Sequence, residues 1–181
     1  MKPFLLSVIL LFCLPSHAQT TLDDYRRDVT EYSRWLKVAA AGSDAAAEAF
    51  FMQAGNLAAR YGVRLAIEAN PPMYTNYLNG TAEAFSLVKR LDNPGLAVNL
   101  DLSTMLAQGE KLQNFVDDLK YVSHVHISEP GLAPIQKRPE HKELALLLGA
   151  VGYRGFVSVE MARTDLDTVK RTLDYVAEVF Q

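Results

Sequence analysis

With 181 residues, 49% of them hydrophobic and 22% charged, the chain holds enough apolar material for one domain with a packed core. That balance, with a net charge of only −3, is the balance of a globular domain and excludes an intrinsically disordered chain. The lysines and arginines are scattered rather than gathered into a stripe, which argues against nucleic acid as a partner.

Residues 1–18 differ from the rest. Lys2 supplies a minimal positive start, Phe4 to Leu14 is an apolar run broken only by Ser7, and Ser16-His17-Ala18 fits a small-x-small cleavage signal. The run is shorter than the roughly 20 residues a membrane-spanning helix needs. The expectation is a secretory signal peptide over 1–18, a working domain over 19–181, a periplasmic or secreted address, and no membrane partner after cleavage. The only cysteine, Cys13, lies inside this segment and follows Phe12, a poor match to a lipoprotein site. The mature domain is therefore expected to use neither disulfides nor thiol chemistry.

Residues 22–40 place Leu22, Tyr25, Val29, Tyr32, Leu36 and Ala39 at steps of three and four, the period of an amphipathic helix. Gly42 ends it, and Ser43-Asp44 can cap a second, alanine-rich helix that runs to Tyr61 and stops at Gly62. Neither helix carries a polar constellation. From Gly62 the rhythm changes. Val63 to Glu68 reads as a strand, followed by a loop with Pro71-Pro72 and Asn79-Gly80. Thr81 is placed to cap a helix with Ala84, Phe85, Val88 and Leu91 inward, and Asp92-Asn-Pro-Gly95 is turn chemistry. Leu96 to Asp101 is the next strand, and a helix with Leu112, Phe115, Val116 and Leu119 inward follows.

Tyr121 to Glu129, rich in β-branched and aromatic residues, is the third strand. Alternation puts His124 and His126 on one of its faces and Val125 and Ile127 on the other. After a loop over 130–139 come a helix from Glu140 to Ala150 closed by Gly152, a strand from Phe156 to Glu160, and a final helix. That helix carries Leu166, Val169, Leu173, Val176 and Phe180 on one side.

Strand and helix thus alternate four times, which calls for a parallel α/β sheet with right-handed crossovers. One face of the four strands is uniformly aliphatic, from Leu65 and Ile67 to Val157 and Val159. The other holds Ala66, Glu68, Ala97, Asn99, Asp101, His124, His126, Phe156, Ser158 and Glu160. An open, doubly covered sheet tends to be apolar on both faces, so the small and polar second face fits a barrel interior. Glu68, Asp101, His126 and Glu160 stand at the carboxyl ends of separate strands, the functional face of a parallel β/α fold. Carboxylates crowded there repel one another, and a divalent cation resolves the conflict. Oxygen donors with one imidazole suit Mn²⁺, Mg²⁺ or Co²⁺, and Zn²⁺ is compatible.

The stretches GVRLAIEANPP, GLAVNLDLSTM, VSHVHISEP and GYRGFVSVEMAR resemble the last four strands of the xylose isomerase-like TIM barrels, a family of sugar isomerases and epimerases. The resemblance covers about residues 62–181. It implies that Glu68, Asp101, His126 and Glu160 hold one divalent metal, with Glu68 and Glu160 as acid and base in an enediolate isomerisation or epimerisation of a small sugar, sugar phosphate or hydroxy-ketone. Weaker candidates for substrate contact are His124, Glu129 and Thr104.

Each position has a plainer reading. Glu68 could cap the loop at Asn70, and Asp101 followed by Ser103 could start a helix. His124 suits a packed interior histidine, His141 the surface of a helix, and Glu129 a solvated loop. Two departures from the family also count. Many members have a histidine where this chain has Thr104, and the arginine that closely follows the histidine strand in epimerases has no counterpart in 131–135. The endonuclease branch needs more histidines than the three that follow residue 18. A closed barrel takes about 250 residues, so the expectation is a partial, half barrel of four strands with two leading helices. Its open edges make a homodimer the expected assembly. The alternative is a secreted half-barrel without catalysis that binds a sugar or a protein partner.

Overall fold

The computed structural model describes residues 44–181; the expected signal peptide and the expected helix over 22–40 lie outside the described residues. Four strands, β1 (Leu65–Glu68), β2 (Leu96–Asp101), β3 (Val122–Ser128) and β4 (Phe156–Glu160), pair in parallel in chain order. Helix α1 (Asp44–Arg60) precedes β1, and α2 (Thr81–Leu91), α3 (Leu102–Gln108), α4 (Pro139–Ala150) and α5 (Leu166–Val179) fill or follow the crossovers. Each β/α repeat returns the chain to the same end of the sheet, so the carboxyl ends of all four strands gather on one rim. The architecture is a partial α/β barrel. Among the described residues the sheet is open, with β1 and β4 as its edges.

The aliphatic face behaves as its alternation requires. Leu65, Ile67, Leu96, Val98, Leu100, Val125 and Ile127 are buried against the helices, joined by Phe50, Phe85, Leu87 and Leu144. Each such side chain contributes about 1.5–3 kcal/mol of burial. Helix α1 approaches the turn before β2 closely because two glycines meet there. A Cβ on Gly95 would stand 1.9 Å from the carbonyl oxygen of Gly55. Buried Asn93 completes this contact: its amide nitrogen donates to Asn56 Oδ1 at 2.7 Å and its oxygen accepts from Gly95 N–H at 2.9 Å.

Several local expectations are corrected. Strand β1 begins at Leu65, not Val63, and β3 spans Val122–Ser128. Thr81 does not cap α2: Gly80 holds the cap position and Thr81 is the buried first residue of the helix. The amide groups of Thr81 and Ala82 are instead satisfied by the Glu110 carboxylate, at 3.0 and 3.1 Å, an anion supplied at the positive end of the helix by a distant loop. The segment Leu112–Tyr121 is 3₁₀ rather than α, which rotates Val116 out to 39% exposure. On α5, Val176 is buried while Leu166 and Leu173 face outward. A barrel helix packs across two adjoining strands, and no described strand lies beyond β4 to receive that half of the stripe. His141, expected on a helix surface, is fully buried, its Nδ1 2.9 Å from the hydroxyl of Tyr175.

Candidate metal centre

The four strand-end residues converge. Glu68, Asp101, His126 and Glu160 each offer one ligand atom, and these atoms all lie within 4.8 Å of one another. His126 Nδ1 is the hub, 3.2 Å from Glu68 Oε1, 3.4 Å from Glu160 Oε2 and 3.8 Å from Asp101 Oδ2. The stagger of the parallel register makes this possible. Asp101 pairs with His126 across β2 and β3, while Glu68 and Glu160 reach in from the strands on either side.

Each carboxylate is held differently. Asp101 Oδ1 accepts from the Thr104 amide at 2.7 Å and from Ser103 Oγ at 2.6 Å, so it caps α3 while facing the centre. Its Oδ2 accepts from Ser128 Oγ at 2.7 Å. The two readings of Asp101, helix cap and member of the cluster, are both correct. Glu68 has 8% of its side chain exposed, whereas Glu160 has 36%, facing the cavity above the rim.

The electrostatics describe a site short of positive charge. Burial pushes the Glu68 carboxyl above its ordinary value, and the neighbouring Asp101 adds to this against the hydrogen bond from His126. At Glu160 the hydrogen bond to His126 holds the carboxyl below its ordinary value in spite of partial burial. Burial opposes a charge on His126, yet hydrogen bonds to Glu160 and Glu68 outweigh it and raise the imidazole to about 10. A proton on the hub histidine thus does part of what a cation would do. One proton faces three carboxylates, and a divalent ion matches that donor set better. The residues fit a single metal of the oxygen-preferring kind, bound through three carboxylates and one imidazole nitrogen.

The structure also brings in Asn99, which the sequence reading left unassigned. Its Nδ2 lies 3.2 Å from His126 Nδ1, and it is buried one register level beneath the ligands, opposite His124. With a lone pair on Nδ1 the amide donates to it; with a proton there, the reversed amide would present Oδ1, which otherwise has no partner. The signal for Asn99 was present in its parity with Asp101 on the same strand.

Of the weaker candidates, His124 is an interior residue, edge-on to His126 with ring centroids 5.0 Å apart, and its Nε2 has no partner. Thr104 lines the cavity, but its hydroxyl is committed to the Ala69 carbonyl at 3.0 Å. Glu129 is neither solvated nor turned to the cavity. It is 2% exposed and pairs twice with Arg138, at 2.6 and 2.7 Å, which holds its carboxyl low despite burial.

The model of the xylose isomerase-like TIM barrel family matches residues 11–179, and the chain belongs to that family. Its fold is similar to D-psicose 3-epimerase from Clostridium cellulolyticum H10, solved with D-tagatose: TM-score 0.65, 18% identity, 75% of this chain and 56% of that one. It is also similar to 3-keto-D-glucoside 4-epimerase from E. coli: TM-score 0.60, 21% identity, 91% and 57%. A third similar structure is an AP endonuclease of family 2 from Brucella melitensis: TM-score 0.62, 22% identity, 91% and 71%. The chain spans a little over half the length of the first two. No curated protein matches it.

Proposed function

We propose that the protein is a secreted or periplasmic, metal-dependent isomerase or epimerase of a small carbohydrate. The observation that carries this reading is the convergence of Glu68, Asp101, His126 and Glu160 within 4.8 Å at the strand-end rim of a cavity. Folding alone gives no reason to draw three carboxylates together. The similar structures that are sugar epimerases support the substrate class, and the apolar run of residues 4–14 supports the export signal.

Glu68, Asp101, His126 and Glu160 would hold the ion, which supplies a fixed positive charge for the oxygens of a carbonyl and its neighbouring hydroxyl. The reaction itself falls to the chain's own carboxylates. Glu68 and Glu160 flank the cavity floor; one takes the proton next to the carbonyl and the other returns it through an enediolate. Asp101 and His126 mainly position, since Asp101 is bound by Ser103, Thr104 and Ser128.

The test is solvent-deuterium incorporation into a panel of ketoses by the purified chain with Mn²⁺, Co²⁺ or Mg²⁺. Glu160→Gln should lower turnover by about 100-fold or more while reducing metal affinity far less. Wild-type activity in that variant would defeat the assignment. The second reading, a binding protein without turnover, is favoured by Thr104, whose short hydroxyl is tied to Ala69 where a histidine would reach substrate. Metal uptake with sugar binding and no exchange of the carbon-bound proton would select it.

A further inference from the structure

The cavity above the carboxylate cluster is about 650 Å³, within the range of pockets that enclose drug-sized molecules and roomier than one sugar ring requires. Its floor is polar, with Glu68, Asp101 and Glu160, but the loop after β1 gives it a different wall. Met73, Tyr74 and Tyr77 line it, and Met73 and Tyr74 are 77% and 56% exposed. Large apolar side chains this open are not part of the core.

That loop is braced. Asn79 Nδ2 donates to the carbonyls of Asn70 and Thr75 at 2.8 and 2.9 Å, and the Asn70 amide donates to Leu78 at 3.0 Å. Tyr77 stacks on Phe51 with rings inclined by 13°. Met73 and Tyr74 are thus presented on a fixed support next to a polar site, as recognition surfaces are.

Charge narrows the ligand further. Among the described residues that line the cavity there is no lysine, arginine or histidine. Helix N-termini on this rim would be the natural seats for a phosphate. Those of α2, α3 and α5 are filled by Glu110, Asp101 and Asp165, and that of α4, which has no side-chain cap, does not line the cavity.

We infer that Met73, Tyr74 and Tyr77 form a subsite for a second, uncharged ring, so that the substrate is a ketose that keeps its carbonyl and carries a glycosidically linked second ring, rather than a free hexose or a sugar phosphate. Sugar faces and aryl groups share the chemistry recognised here, a ring with an apolar face laid on an aromatic or thioether wall. The inference rests on the metal-centred sugar reading above and specifies its substrate.

The test is calorimetric titration of the full chain, first with Mg²⁺, Mn²⁺ and Co²⁺ in turn and then, metal-loaded, with lactulose (D-fructose bearing a second sugar ring), 4-nitrophenyl β-D-glucopyranoside, D-fructose and D-fructose 6-phosphate. At least one glycoside should bind about tenfold more tightly than D-fructose, with the phosphate ester weakest. The arm that binds tells whether the second ring is a sugar or an aryl group. Tyr74→Ala should bring the glycoside-to-fructose ratio to about one, and Tyr74→Phe should preserve it. Equal affinity for glycosides and fructose, no sugar binding, preference for the phosphate ester, or an unchanged ratio in Tyr74→Ala overturns the inference. Failure to take up Mg²⁺ or any other divalent ion sinks the metal reading itself and is seen in the first titration.

Discussion

Asp101 does two jobs with one carboxylate, and substitution can separate them. Asparagine caps helices as well as aspartate does, but it is a weaker metal ligand. Asp101→Asn should therefore keep most of its stability in urea with EDTA present while losing about tenfold or more in metal affinity. Asp101→Ala should lose both, with a cost of about 0.5–2 kcal/mol for the cap alone. Equal stability of the alanine variant and wild type in EDTA would refute the capping role. The candidate ligands were legible in the sequence because each sits at a strand end with the right parity. Parity also put Asn99 on the ligand face, but its role stayed hidden, because nothing along the chain says that its amide lies against the ring of His126.

Helix α4 shows what burial does to a residue whose sequence position reads as surface. His141 follows Pro139 and Glu140 in the first turn, and it is fully buried and packs against Tyr175. Burial lowers its pKa from 6.5, although Glu129 and Glu140 pull it upward; Arg138 reinforces the decrease. The unfolded chain takes up this proton first, so stability from His141 is present above pH 6.5 and is lost as pH falls below it. Urea midpoints measured from pH 7.5 down to pH 5 should fall less steeply in His141→Phe than in wild type; parallel curves would remove His141 as the cause.

The α1–β2 crossing is also an element-scale device. Gly95→Ala drives a methyl into the Gly55 carbonyl and should cost about 1–3 kcal/mol or more, read from the denaturant midpoint. Gly95 reads as ordinary turn chemistry in the sequence, since the helix it touches lies some forty residues earlier.

At the scale of the molecule, a sheet whose edge strands β1 and β4 have no further partner among the described residues, together with a rim of carboxylates, leaves two demands unmet. The first is charge. Mn²⁺ at about 100 times its dissociation constant should raise stability by about 2.7 kcal/mol, and EDTA should reverse the gain. A melting temperature indifferent to both would count against the metal centre. The second is apolar surface. Phe156 is 63% exposed on the interior face of β4, and Leu166 and Leu173 are open on α5. Self-association through this side, expected from the half-barrel pattern, is retained as a proposal. Light scattering at micromolar concentration should show a dimer that Phe156→Ser weakens, whereas a clean wild-type monomer would end it.

By itself the sequence determined the order of elements, their parallel arrangement and the identity of the rim residues. Those follow from periodicity, glycine and proline punctuation and strand parity, all of which are local. Only the tertiary structure decided which side chains share an ion, which helix ends are closed by distant carboxylates, and which apolar residues remain open. These depend on contacts between segments far apart in the chain, where the stagger of the strands and the approach of two glycines set distances that no short window records.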